Sequence, residues 1–224
     1  MLDSLFNSPF VFLFWLIALV VAITVHEFAH ALAAERLGDP TPRLMGRLTL
    51  NPLAHLDPIG TLMLLLVRFG WGKPVQFDPF NLRHPRRDSA IISLAGPSSN
   101  LIVAFAASVL LRILFNARLT LMSHALVSGS AYLLIALIQP LIMLNVILAV
   151  FNLLPIHPLD GFKIVGGILP DEYARQWQEL EPYGMIFLIF LIFPFFGGVS
   201  PIQSFISPVI NTILSLLIPT APLI

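Results

Sequence analysis

One long apolar segment, residues 9–37, reads PFVFLFWLIALVVAITVHEFAHALAAERL. The proline at its start suits the first turn of a helix and the glycine after its end suits a left-handed cap, so the segment predicts one continuous helix. This helix places His26 about 25 Å from its start, near the far side of a hydrocarbon core about 30 Å thick. His26, Glu27 and His30 therefore lie in a membrane segment, where ionisable residues are costly and usually functional.

The whole chain has the composition of a polytopic membrane protein. Of its 224 residues, 57% are hydrophobic and only 11% are charged, whereas about a quarter are charged in an ordinary globular domain. The mean hydropathy is +0.89, and 12 basic residues balance 12 acidic ones. These values exclude a disordered chain, a soluble single domain and a nucleic-acid binder. Because the chain has no cysteine, a metal site must use histidines and carboxylates.

Further apolar segments predict the remaining membrane helices. Spans are predicted at about 89–115 and 131–154, followed by shorter apolar segments at 183–196 and 202–218. The apolar run 59–67 is only about 13 Å long as a helix, so a re-entrant segment is favoured over a span. The predicted fold is an all-α polytopic membrane protein with about four to six transmembrane or re-entrant helices, forming a single domain over residues 1–224.

The sequence between the first two spans predicts a small membrane-associated β element. The stretch RLMGRLTL at 43–50 alternates, with leucines and a glycine on one face and arginines and a threonine on the other. This period of two is typical of a strand. Residues 75–77 are a candidate for a second short strand.

The basic residues predict the orientation in the membrane. Residues 35–88 carry eight basic side chains, and two more follow within 157–182, whereas only Arg112 and Arg118 fall on the opposite side if 59–67 does not cross. The positive-inside rule then places these two connections in the cytoplasm and the N-terminus outside. We therefore expect a multi-pass protein of the cell membrane with its site near the cytoplasmic side.

The pentapeptide HEFAH at 26–30 is the sharpest chemical signal in the sequence. Two histidines four residues apart lie on one face of a helix and can bind one metal ion, and the glutamate between them can act on a metal-bound water. The alternative is a set of polar residues satisfied at a helix end, which the membrane location disfavours.

Asp160 is the candidate for a third ligand, in the stretch NLLPIHPLDG at 152–161. Its prolines and glycine break the helix and let the chain turn a carboxylate back into the bundle. The first and third spans run in the same direction if 59–67 is re-entrant, so His30 and Asp160 end on one side. Without the histidine motif, a turn residue of an Asp-Gly pair would be favoured. His157 is another potential ligand, although its neighbouring prolines favour a loop role.

These motifs resemble those of the site-2 protease family of intramembrane zinc metalloproteases, in its compact bacterial and archaeal branch without PDZ or CBS domains. The matching parts are HEFAH at 26–30, GPSSN at 96–100, NLLP leading to LDG at 152–161, NPLAHLDPIG at 51–60 and EPYG at 181–184. The resemblance covers nearly the whole chain, to about Leu191. One departure is His157, where the branch has proline.

The resemblance implies a role for each residue of the site. It implies that His26, His30 and Asp160 bind one Zn²⁺. It implies that Glu27 is the general base, and that Asn152 lies close to the zinc and helps to bind the substrate or the tetrahedral intermediate. The implied activity is a metalloendopeptidase that cleaves membrane-spanning segments of substrate proteins within the lipid.

The resemblance also implies that the strand at 43–50 belongs to a membrane-embedded β element. An edge strand of this kind could capture an unwound substrate segment by β-addition and supply hydrogen bonds that lipid cannot. The role of His55 stays open between orienting a zinc ligand, contacting substrate and forming hydrogen bonds within its loop.

A zinc-binding membrane protein without protease activity, such as a metal transporter or an assembly scaffold, is the alternative function. A transporter needs polar residues along a complete path, but the ionisable residues cluster on one side and leave only Arg112 in the other half. The intact Glu27 disfavours a scaffold. The sequence leaves homo-oligomerisation open.

Overall fold

The computed structural model describes residues 8–60, 63, 72–120, 125–194, 198 and 200–218, with the side chains of all of these except 115–120 and 125–132. Its helices, numbered in chain order, are α1 (Pro9–Leu37), α2 (Thr41–Leu44), α3 (Pro85–Thr120), α4 (Ala125–Asn152), α5 (Asp160–Ile168), α6 (Asp171–Gln178), α7 (Glu181–Ile192) and α8 (Pro201–Leu217). Short 3₁₀ turns lie at Pro52–Ala54 and Pro79–Asn81.

Helix α1 begins and ends where the sequence predicts. Gly38 follows its last residue with φ +106°, the left-handed conformation that glycine adopts without steric cost. The N–H groups of Gly38 and Asp39 donate to the carbonyls of Glu35 and Ala34, at 3.2 and 3.0 Å. Two of the last four carbonyls of the helix are thereby satisfied.

Helices α1, α3 and α4 form the central bundle, and parts of all three are long and apolar enough to cross a membrane. Helix α3 begins four residues before the predicted span and α4 six residues before, at 85 and 125. Contacts pair His30 with Ile92, and Ala22 with Asn100, so α3 runs antiparallel to α1. Helix α4 then returns parallel to α1, as the predicted topology requires.

The bundle has a mainly apolar core that also buries a few polar side chains, and its outer face is apolar. Asn100 and Asn145 are fully buried between the helices, whereas Ile102 and Phe105 on the outer face of α3 are 68% and 64% exposed. Exposed apolar surface of this extent suits hydrocarbon rather than water. The arrangement confirms an all-α membrane protein.

The connection between α1 and α3 starts and finishes at one end of the bundle. Its first residues are held to its last ones by Asp39, which accepts hydrogen bonds from the backbone N–H of Asp78 and from Asn81 Nδ2, at 2.7 and 2.8 Å. Asp39 is fully buried by these contacts. The re-entrant segment predicted at 59–67 lies mostly outside the described residues.

The strand predicted over 43–50 is wrong. Helix α2 covers its first residues, and Gly46 follows in a turn with φ +69°. Pro42 lies in the first turn of α2, where its fixed φ favours a helix and its missing N–H is not needed. An alternation over eight residues is also satisfied by a short helix and a turn, so the local proline and glycine decide the structure.

No β-sheet is formed by the part of the chain that the structure describes. Residues 75–77 belong to no strand, and the β pairing found in the described residues is one isolated antiparallel bridge between Leu56 and Gly72. An edge strand at 43–50 that captures substrate is therefore not available.

The last two helices follow the metal-site segment in the chain. Helices α7 and α8 lie at the apolar segments predicted at 183–196 and 202–218 and have 12 and 17 residues. They are thus about 18 and 25 Å long, shorter than a hydrocarbon core of about 30 Å. Helix α8 packs along α4 through Ile210, and the Ser108 hydroxyl of α3 donates to the Leu217 carbonyl at its end.

Candidate metal centre

The two histidines of α1 meet the first residue of α5 inside the bundle. The Nε2 atoms of His26 and His30 are 3.0 Å apart, and they lie 3.2 and 3.3 Å from Oδ2 of Asp160. Both histidines are buried, and Asp160 is half-buried. The spacing of the motif on the helix and the turn before α5 thus bring together the three residues that the sequence predicts as ligands.

A network of amide groups fixes the ring of His26. Asn100 Nδ2 donates to the Ala22 carbonyl and to Asn145 Oδ1, at 3.0 and 2.8 Å. The remaining Asn100 Oδ1 can only accept, so His26 Nδ1, 2.6 Å away, must be the donor. This assignment leaves Nε2 of His26 directed at Asp160.

The ring of His30 is fixed in the same way by the backbone. Its Nδ1 donates to the Ile92 carbonyl of α3 at 2.7 Å. Metal-binding histidines usually donate their second ring nitrogen to a carbonyl or amide partner of this kind. Each Nε2 can therefore offer a lone pair to a cation or, when protonated, donate to the Asp160 carboxylate.

The three converging atoms fit a zinc ion. A tetrahedral zinc site with ligand distances of about 2.0–2.1 Å has edges of about 3.3 Å, close to the observed separations. Oδ2 of Asp160 is buried and receives no conventional hydrogen bond within the described part of the chain. Two imidazoles and a carboxylate also leave one position of the tetrahedron for water, as in catalytic zinc sites.

Burial acts to raise the pKa of the Asp160 carboxyl, but the His26 and His30 rings that face it outweigh burial and hold this pKa well below its usual range. The next residue, Gly161, packs against the carbonyls of Leu153 and Leu154, where a Cβ would overlap them. This close approach lets the chain turn sharply enough to direct Asp160 towards α1.

Gly96 of α3 packs directly against the histidine pair. A Cβ on this residue would overlap Nε2 and Cε1 of His30 and would crowd Cε1 of His26. From the sequence, Gly96 is interpreted as part of a small-residue packing face and Asn100 as a packing hydrogen bond. The structure places both residues beside the proposed metal ligands. The sequence signal for them was the GPSSN stretch, which carried the family resemblance but gave neither residue a role at the metal site.

Glu27 lies next to the cluster and outside its ligand set. Its Oε2 accepts a hydrogen bond from the backbone N–H of Val75, at 2.8 Å, in the connection before α3. Asn152, the last residue of α4, donates to the Leu148 carbonyl of its own helix at 2.9 Å. The structure thus does not place Asn152 in the ligand cluster.

The two other histidines under consideration lie outside the cluster. His55 is fully buried and its Nε2 is 2.8 Å from the Thr49 carbonyl, as expected of a histidine that forms hydrogen bonds within its loop. His157 lies with Nδ1 3.7 Å from Glu181 Oε1 and packs against Gly184. Neither is among the residues grouped around Asp160.

Comparison with known proteins agrees with this geometry. Residues 14–193 match the family model described as Peptidase family M50. "Putative zinc metalloprotease YwhC" of Bacillus subtilis is 39% identical over 196 residues, which cover 87% of this chain and 84% of that protein. No solved structure matches the chain significantly.

Mycobacterial proteins are more distant relatives. "Putative zinc metalloprotease Rip2" of Mycobacterium tuberculosis is 32% identical over 179 residues, covering 77% of this chain and 63% of that protein. Its counterpart in Mycolicibacterium smegmatis is 31% identical over 189 residues, which cover 81% of this chain and 67% of that protein. The chain therefore spans about two thirds of the length of these relatives. From its family match, its relatives and its helices, the chain belongs to peptidase family M50, the site-2 proteases, and is a zinc metalloendopeptidase of the membrane.

Proposed function

We propose that this protein is an intramembrane endopeptidase that hydrolyses peptide bonds in membrane-spanning segments of other proteins. One observation carries the proposal: the His26, His30 and Asp160 cluster is formed on the C-terminal half of a membrane-length helix, with Glu27 beside it. The proposed unit is a single integral-membrane domain over residues 1–224. Its site faces the cytoplasmic side of the cell membrane, because the basic residues concentrate at that end of the bundle.

In this proposal each side chain of the site has one task. His26, His30 and Asp160 hold the zinc ion. When bound, zinc lowers the pKa of a water molecule and polarises the scissile carbonyl. Glu27 takes the proton from the attacking water and delivers it to the leaving amine nitrogen. The Val75 N–H orients the Glu27 carboxylate for this transfer.

Asn152 is proposed to assist from the end of α4. One N–H of its amide is engaged with Leu148, and the amide has a second N–H to donate. A donor aimed at the developing oxyanion would stabilise the tetrahedral intermediate. We expect Asn152→Ala to lower kcat while zinc content is unchanged.

The substrate must unwind before it can be cleaved. A peptide bond within a helix is shielded by its own hydrogen bonds, and an unwound segment in lipid needs new partners for its backbone groups. Such partners must come from the protein, because the hydrocarbon chains offer none.

Replacing Glu27 by Gln tests the proposal against a metal transporter or a scaffold. In proteoliposomes that contain a membrane-spanning reporter peptide, E27Q should retain about one zinc per chain and lose cleavage, while Asp160→Asn should lose both. A transporter would continue to move metal after E27Q, and a scaffold would show no cleavage in the wild-type protein. Either result would refute the proposed activity.

A further inference from the structure

A groove between α1 and α3 ends in a positive charge. Its volume is about 350 Å³, and its apolar lining is Ala29, Leu32, Ala33 and Leu37 of α1 with Ile91 and Ala95 of α3. Arg36 is the charged residue of the lining. From Ala29 to Arg36 the groove follows α1 for about 10 Å, a third of a hydrocarbon core. It therefore fits within one leaflet and carries its charge where α1 ends.

A second arginine lies at the same level on α3. The hydrogen bond between His30 and the Ile92 carbonyl sets the register of the two antiparallel helices. Arg36 lies six residues after His30, and six residues before Ile92 the chain reaches position 86, directly before Arg87. Arg87 also precedes Ile91 by four residues, which puts it on the groove side of α3. Arginines of both helices therefore lie at one end of the groove.

Arg36 and Arg87 are exposed, and neither pairs with an acidic side chain within the part of the chain that the structure describes. Glu35, next to Arg36, is instead 2.6 Å from the side chain of Arg43. Asp88, next to Arg87, is buried and accepts a backbone N–H just before α3 at 2.9 Å. Because two like charges at one level repel each other, an anion placed between them is favoured.

An anionic phospholipid matches both parts of this surface. A cavity of about 150 Å³ accepts a benzene molecule, so the groove has room for a stretch of acyl chain. Basic pockets between transmembrane helices are typical sites for anionic headgroups, and arginines near helix ends extend to the membrane surface. A second copy of the chain is disfavoured, because a two-fold symmetric contact would gather four arginines at one level.

We propose that this groove binds one anionic phospholipid, with an acyl chain against Ala33 and Ala95 and the phosphate between Arg36 and Arg87. The inference goes beyond the proposed proteolysis and does not depend on it. The headgroup bridges α1 and α3 at their shared end, so the bound lipid holds together the two helices that carry and orient the metal ligands. A ligand that binds only the folded bundle also raises its thermal stability.

Replacing the two arginines tests the headgroup site. The zinc-bound protein in a nonionic detergent is titrated with phosphatidylglycerol or with phosphatidylcholine of the same acyl chains, and native mass spectrometry counts the bound lipid. We expect Arg36→Gln with Arg87→Gln to lower the affinity for phosphatidylglycerol about 10- to 30-fold and to leave that for phosphatidylcholine unchanged. Lys73→Gln with Arg175→Gln is the matched control, because it removes two exposed positive charges outside the groove.

Filling the groove tests the acyl chain separately. Ala95→Leu should lower the affinity for phosphatidylglycerol about tenfold, the effect of displacing roughly two methylene groups. Ala106→Leu is the control, because Ala106 is exposed on the same helix outside the groove. Zinc content reports whether each variant is folded, and Ala33→Leu fills the groove from α1 if A95L loses its zinc. Glycerol phosphate, a soluble headgroup without a chain, should not raise the thermal midpoint, whereas phosphatidylglycerol should.

Each outcome decides for or against the lipid site. Equal affinity for the two lipids, or an equal loss in the arginine pair and its control, overturns the inference. Unchanged binding of phosphatidylglycerol in a folded variant with a filled groove also overturns it. If glycerol phosphate stabilises the protein as well as the lipid does, the site binds free phosphate and not a phospholipid. None of these measurements uses cleavage, so the proposed activity can fail while the lipid site stands.

Discussion

Asn100 holds the ring of His26, a proposed zinc ligand, so its replacement should weaken zinc binding without removing a ligand. We expect Asn100→Ala to reduce zinc affinity about 10- to 100-fold, because the His26 ring loses the acceptor that fixes its orientation. Competition with a chelator measures this affinity. Ser99→Ala is the control, since the Ser99 hydroxyl donates to the Gly96 carbonyl at 2.7 Å. Equal zinc affinity in N100A and the wild type would contradict the role of Asn100.

Gly96 leaves no room for a side chain beside the ligands. Gly96→Ala should therefore displace His30 and His26 and abolish both zinc retention and cleavage. Alanine normally favours a helix over glycine by about 1 kcal/mol, so any loss would come from the clash. Gly166→Ala on α5 is the matched control, because its Cβ would lie 3.3 Å from the Trp177 side chain. Full zinc content in G96A, measured by metal analysis, would show that the rings can move aside.

Spacing along a helix predicts which of its own side chains lie side by side. His26 and His30, four residues apart, are such a pair, and the glycine after Asp160 indicates the turn that brings Asp160 near them. Asn100 could not be paired with His26 in this way. Their hydrogen bond depends on the register between α1 and α3, which no local spacing encodes.

Asp39 joins the two ends of the connection between α1 and α3, and its charge makes this link sensitive to acid. Burial acts to raise the pKa of its carboxyl, but hydrogen bonds from Thr41, Asn81 and the Asp78 N–H outweigh burial and hold the pKa below its usual range. Ionised Asp39 therefore stabilises the folded state fully above its unfolded-state pKa of about 3.9. This stabilisation is lost as the pH falls through the lower pKa of the folded state.

We therefore expect Asp39→Asn to lower the thermal midpoint at pH 7 and to flatten its decline between about pH 5 and pH 3. Thermal unfolding in detergent at several pH values measures both effects. Asp171→Asn is the control, because Asp171 is highly exposed in its ion pair with Arg86 and such pairs contribute little. If the thermal midpoint of D39N fell with decreasing pH as steeply as that of the wild type, Asp39 would not be the source of the acid sensitivity.

The ends of a helix could be predicted where a residue with a special backbone conformation, such as a left-handed glycine, lies at the edge of an apolar segment. Helix α1 is such a case, because Gly38 follows directly on the apolar segment. The residues at 43–50 offered only alternation, and Pro42 and Gly46 impose a helix and a turn in place of a strand. The short helices α7 and α8 also lie close to the apolar segments predicted at 183–196 and 202–218, because glycines and a proline interrupt the apolar sequence between them.

At the scale of the whole molecule, the two ends of the bundle should face opposite sides of the membrane. Single cysteines at exposed positions can report this because the chain has none of its own. We expect Gln76→Cys and Gln178→Cys to react with an impermeant thiol reagent from the cytoplasmic side. Leu216→Cys should react from the other side, since the Leu216 carbonyl accepts from Arg112 at the far end of α3. Labelling of all three from one side would overturn the proposed orientation.

The cluster of His26, His30 and Asp160 draws its members from two segments far apart in the sequence, and Asn100 links it to α3 and α4. An unfolded or partly assembled chain does not hold this set of ligands together. Zinc therefore binds the assembled bundle in preference to every other state, and free zinc at a thousand times the dissociation constant would add about 4.1 kcal/mol to the stability of the bundle. Zinc retention should therefore report on membrane assembly, because a chain that fails to close its bundle would also fail to retain the metal that makes it a hydrolase.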